Sequence, residues 1–92
     1  DLITRRPLPR YYSALAASLD ASGNPYGALE AAEQAIKGDP KLGIALYNRA
    51  SALAALGEKS RARSDLQNVF RMDSSRVLRR AATEALESLE KG

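Results

Sequence analysis

The sequence predicts an all-α chain of about five helices folded as antiparallel hairpins, and three observations carry that prediction. Of its 41 apolar residues, 17 are alanine and only 24 are larger, so the chain has strong helix formers with little area to bury and is suited to close helix packing. Apolar residues recur at three- and four-residue spacing in each long segment, and nothing reads as a strand. Gly, Asn–Pro and Asp–Pro punctuate the chain at short intervals.

Residues 1–8 (DLITRRPL) read as an extended arm or linker. Pro7 and Pro9 flank Leu8, and proline fixes its own φ while pushing the preceding residue into extended backbone. A first helix is expected over 9–22, stopped at Gly23. Asn24–Pro25 then supplies an N-cap side chain followed by proline at the first helical position. The second helix, 25–37, places Ala28, Leu29, Ala32, Ala35 and Ile36 on one face and stops at Gly38. Asp39–Pro40 repeats the cap signal and opens a third helix, 41–56, ending at Gly57. A fourth, 60–72, lines up Ala62, Leu66, Val69 and Phe70; a fifth runs over 75–91. Glycine suits the three stops because it takes left-handed backbone without a Cβ clash. Loops this short force consecutive helices to lie antiparallel.

Sliding the chain by 34 residues sets Ala16 on Ala50, Leu19 on Leu53, Ala21 on Ala55, Gly23 on Gly57, Ala28 on Ala62 and Asp39 on Asp73. Conservative pairs accompany them: Tyr12 with Leu46, Ala35 with Val69, Ile36 with Phe70, Lys37 with Arg71. The identities are few, but they fall at small-residue crossing slots, turn glycines and a helix end, where a two-helix repeat needs them.

On these residues the chain resembles the tetratricopeptide repeat, a 34-residue helix–turn–helix unit. Tyr12, Leu15, Ala16, Leu19, Gly23, Ala28, Ala35 and Pro40 match the first copy; Leu46, Ala50, Leu53, Gly57, Ala62, Leu66 and Val69 match the second. Arg49 stands where a leucine is usual, Ser74 where the closing proline is, and Ala32 where an aromatic is common. The resemblance covers residues 9–74 as two repeats and implies a short right-handed α-solenoid. Residues 75–92 form a capping helix or the first half of a third repeat. In a register shortened by two residues, Leu78, Ala81, Ala82 and Ala85 take its inward slots. A terminal helix with a polar outer face is what such a stack needs for solubility.

The resemblance also implies a concave groove, lined by the first helix of each repeat, that receives a peptide or a partner helix. It places Arg10, Ser13, Ala17 and Asp20 there from the first copy and Ile44, Tyr47, Asn48 and Ser51 from the second. The last helix contributes Arg76, Arg79, Arg80 and Thr83. Asn48, Arg76 and Arg80 match three of the five slots of the carboxylate clamp of chaperone-binding relatives. Ser13 and Ala17 occupy the Lys and Asn slots, so the clamp is incomplete. An amide beside guanidinium groups can hold a carboxylate, so an acidic or free-carboxylate ligand is one chemistry the groove could take. Tyr12 and Tyr11 are expected to pack, Tyr11 against the arm; Tyr47 can pack or line the groove.

Charge and composition set the remaining bounds. The net charge is +3, but residues 58–80 alone carry +4, from Lys59, Arg61, Arg63, Arg71, Arg76, Arg79 and Arg80 against Glu58, Asp65 and Asp73. That stretch keeps one alternative open, an RNA-binding helical repeat, but exposed aromatics for stacking are scarce. With no Cys and no His, the chain lacks a thiolate metal site, the commonest metal ligand and the commonest general base. Two thin helical layers rarely supply a pocket for Ser–Lys or carboxylate chemistry. No catalytic residue, metal or cofactor is therefore expected; Glu84, Glu87 and Glu90 read as a wet face. No apolar run approaches the ~20 residues of a membrane span. A chain opening at Asp1 reads as a piece of a longer protein or a mature chain. Two hairpins and one helix are near the lower size limit of a stable stack, so a homo-oligomer formed through exposed ends is also expected.

Overall fold

The computed structural model describes residues 8–72 and 75–91. Five helices follow in order, α1 (Pro9–Ala21), α2 (Pro25–Gly38), α3 (Gly43–Ala55), α4 (Lys59–Val69) and α5 (Arg76–Lys91), and there is no strand among the described residues. The all-α reading holds, with bounds within about three residues of those expected. The arm expected over 1–8 lies, apart from Leu8, outside the described residues. So do Asp73 and Ser74, expected at the end of the second repeat.

Each helix packs on the next, and in addition α1 packs on α3 and α3 on α5. The molecule measures 48 × 28 × 18 Å. The shortest dimension is under two helix diameters of about 10 Å each, so the helices lie in two layers. One holds α1, α3 and α5; α2 and α4 back it.

The 34-residue spacing reappears in the geometry. Gly23 and Gly57 both take φ of 84°, the left-handed conformation glycine adopts at least cost. The turns around them carry the same hydrogen bonds: the amides of Asn24 and Glu58 donate to the carbonyls of Leu19 and Leu53, each at 2.8 Å. Ala16, Ala28, Ala50 and Ala62 are all buried. Ala16 clusters with Ala31 and Ala32. The main core joins Ala50 and Ala62 to Leu46, Leu53, Leu66, Val69 and Ala82. A third cluster, Ala35, Leu42 and Ala45, takes Tyr12, Ile36 and Ile44 against it.

The helix starts show one success and one correction. Asn24 caps α2 as expected, its Oδ1 accepting from the Gly27 amide at 3.0 Å, with Pro25 next. Asp39 does not start α3. Its Oδ1 accepts from the Lys41 amide at 3.1 Å and its carbonyl from the Leu42 amide. The short side chain thus closes a local turn, and α3 begins at Gly43 after Leu42, without a side-chain cap.

Two further expectations are corrected. Gly38 is the last residue of α2 rather than a left-handed stop. Its lack of a side chain admits the first turn of α1, since a Cβ there would lie 2.8 Å from Pro9 Cγ. Phe70 leaves the inward face because α4 ends at Val69, and it is 38% exposed.

Candidate functional site

The α1/α3/α5 layer is where the groove residues were expected, and the first thing it shows is how α1 and α3 are joined. Asn48 Nδ2 donates to the Ser13 carbonyl at 2.8 Å and to Ser13 Oγ at 2.6 Å, and both side chains are buried. Further along the same pair of helices, Ser51 Oγ donates to Asp20 Oδ2 at 2.5 Å. An amide nitrogen carries only two hydrogens. Those of Asn48 are thus committed inside the hairpin stack, and none is left to donate to a ligand carboxylate.

Two cavities flank α3 on this layer. The first, of about 220 Å³, lies against α1 and is lined by Arg10, Ser13, Ala14, Ala17, Ile44 and Asn48. The second, of about 140 Å³, lies against α5, with Tyr47, Ser51, Ala54, Ala85, Ser88 and Leu89 among its walls and the core residue Leu66 beneath. Both walls are mainly apolar. Ser13 and Asn48 already bond to each other, and so do Ser51 and Asp20. Arg10 is the exposed charged residue among the residues lining either cavity.

Among the expected groove residues, Arg10, Ser13 and Asn48 therefore meet at one cavity, and Tyr47 and Ser51 at the other. Arg76, Arg79 and Arg80 line neither and lie exposed along α5. Arg80 Nε stands 3.6 Å from Glu84 Oε2, and Thr83 Oγ1 donates to the Arg79 carbonyl. Neither of these two cavities brings Arg76 or Arg80 together with Asn48. Tyr12 packs against the Ala35–Leu42–Ala45 cluster, and Tyr11 forms an edge-to-face pair with it at 5.6 Å between ring centroids.

The residues missed in the sequence are Ala14, Ala54, Ser88 and Leu89. Ala14 stands 34 residues before Asn48, so the repeat register could have placed it on the same layer. The walls formed by Ser88 and Leu89 depend on where α5 docks, which no repeat register specifies. No protein-family model matches the chain, and no curated protein or solved structure matches it. No described helix is long and apolar enough to cross a membrane, and no cluster of metal-ligating side chains occurs among the described residues.

Proposed function

We propose that this chain is a protein–protein interaction module built from two tetratricopeptide-like hairpins and a capping helix, with no catalytic role. The α1/α3/α5 layer presents a shallow groove to an extended peptide or a partner helix. Support for the repeat comes from the 34-residue recurrence of buried alanines, left-handed glycines and turn hydrogen bonds. The observation that carries the binding role is the pair of mainly apolar cavities on either side of α3. Two such hollows on one layer suit apolar anchor side chains, the usual source of affinity in helix-in-groove recognition. With the Asn48 amide committed to Ser13, a ligand carboxylate would have to find Arg10 instead.

Selection of peptides from a random displayed library, followed by titration against the 92-residue chain, tests this reading. Ala17 is exposed at the edge of the α1-side cavity, so Ala17→Arg fills it without touching the core. Tyr47→Ala removes a wall of the other. Selected peptides should bind each variant at least about tenfold more weakly, the loss of one anchor. Peptides that bind both variants as well as the wild type would place the site elsewhere. Retention of single-stranded RNA at low salt with no peptide selected would replace the reading with nucleic-acid binding.

A further inference from the structure

The outer helix α5 carries a charge order that its own fold does not explain. Its first half bears Arg76, Arg79 and Arg80 and its second half Glu84, Glu87 and Glu90, all exposed. The helix macrodipole favours acids in the first turn and bases in the last. The first turn of α5 holds no acid, and Lys91 is the lone base of the last. The sorting runs against the dipole, and the Arg80–Glu84 pair at 3.6 Å is well exposed, at 83% and 66%, so it recovers little.

The same helix carries both a knob and a hole. Val77 is 80% exposed, more than any other large hydrophobic residue described. Eleven residues on, Ser88 lines the cavity shared with Tyr47, Ser51, Ala54, Ala85 and Leu89. Eleven residues are about three turns, so Val77 and Ser88 lie on one stripe of α5 about 16 Å apart. Ala81, half-buried, and Glu84, exposed, lie between them, and the fully buried residue of α5 is Ala82.

We propose that α5 is a self-association surface whose occupant is a second copy of this chain, paired antiparallel about a two-fold axis near residues 82 and 83. That symmetry sets the Val77 of each copy over the Ser88 cavity of the other, whose volume of about 140 Å³ receives a valine side chain. It also lays the basic half of one α5 along the acidic half of the other, with Arg80 of each copy beside Glu84 and Glu87 of its mate, which offsets the approach of the two Glu84 side chains near the axis. A two-fold interface must be complementary to itself, and α5 meets that demand in shape and in charge. The reversed order of charge along the helix is then accounted for by the interface.

The proposal rests on the knob, the hole and the charge order; the hole is the α5-side cavity also offered to a peptide, so a second copy and a peptide compete there, while the α1-side cavity stays open in either state. Ala17→Arg, in the other cavity, should leave the dimer intact. Sedimentation velocity of the 92-residue chain should show a reversible dimer with a micromolar Kd. Val77→Asp should weaken it at least about tenfold, with helicity by circular dichroism unchanged. Arg80→Glu alone brings two acids together across the axis, and Glu87→Arg alone brings two bases together. Each should sediment as a monomer, while an equimolar mixture of the two should associate as tightly as the wild type, because every cross-pair is again opposite in sign. A wild type that stays monomeric at high micromolar concentration overturns the proposal. So does a dimer indifferent to Val77→Asp, or a mixture no more associated than its components.

Discussion

Arg49 and Asp65 form a two-pronged ion pair, Nε to Oδ2 at 2.7 Å and Nη2 to Oδ1 at 2.9 Å, that ties α3 to α4. Thirty-four residues earlier the same two slots hold Leu15 and Ala31, both part of the apolar cluster around Ala16 and Ala32. One hairpin closes this contact with hydrocarbon and the other with charge. The arginine that stands where the first hairpin has Leu15 is thus explained by its partner on the next helix.

Removing one side of that pair should cost more than removing both. Asp65 is buried and Arg49 partly so, and Asp65→Ala leaves the guanidinium without its acceptor, at about 1–3 kcal/mol. The double variant Arg49→Leu/Asp65→Ala copies the first hairpin and should recover most of the loss, because an apolar pair of fitting shape often equals a buried ion pair. Urea unfolding of wild type, single and double variants measures it. A double variant no more stable than Asp65→Ala would mean that the slots are not equivalent.

The same pair sets a pH expectation. The hydrogen bond to Asp65 raises the Arg49 guanidinium above its already strongly basic ordinary value; burial opposes this, and the charges of Asp65 and Glu33 add to it. A cation whose pKa is higher folded than unfolded contributes stability that is complete below the unfolded value and lost only as pH climbs through the folded one. The stability difference between wild type and Arg49→Leu/Asp65→Ala should therefore stay level from pH 6 to about 9. A steady decline across that range would show that Arg49 is not held in this way.

Much of this was legible in the chain because glycine, proline and apolar spacing act locally. Gly23, Gly57 and Asn24–Pro25 do in the structure what their backbone chemistry predicts. Asp39–Pro40 misled because an aspartate serves a turn as readily as a helix start, and the choice depends on where α3 can dock. The site was less legible. Ser13 and Asn48, read as groove residues from the repeat register, face each other across 35 positions of chain. A register places a residue on a layer, but it does not say whether a neighbouring helix has already taken its hydrogen bonds.

The alanine crossings give the sharpest test of the hairpins. Ala28 and Ala62 stand at equivalent positions of α2 and α4, and neither leaves any surface exposed. Leucine at either site must push helices apart or adopt a strained rotamer, at about 1–3 kcal/mol. In a chain this small, 1 kcal/mol shifts the melting temperature by about 4–8 °C. Ala28→Leu and Ala62→Leu should both melt far below the wild type. Near-normal melting of both would remove the crossing contact from the description.

Two glycines should respond to alanine for different reasons, and the comparison separates backbone strain from contact. At Gly57 a Cβ would meet nothing within 4 Å, but φ is 84°, so Gly57→Ala should lose about 1–2 kcal/mol through left-handed backbone alone. At Gly38 the backbone is ordinary helix, where alanine would normally gain about 1 kcal/mol. Its Cβ, however, would sit 2.8 Å from a ring carbon of Pro9, and a proline ring has no freedom to swing aside. Gly38→Ala should therefore loosen the first turn of α1, seen as faster amide exchange near Tyr11 and Tyr12, while the exchange of α4 is unchanged. Replacing Pro9 by alanine removes the obstructing ring, so Pro9→Ala/Gly38→Ala should be more stable than Gly38→Ala alone. If the pair of substitutions is merely additive, Pro9 and Gly38 are not in contact and α1 is seated by Tyr12 instead.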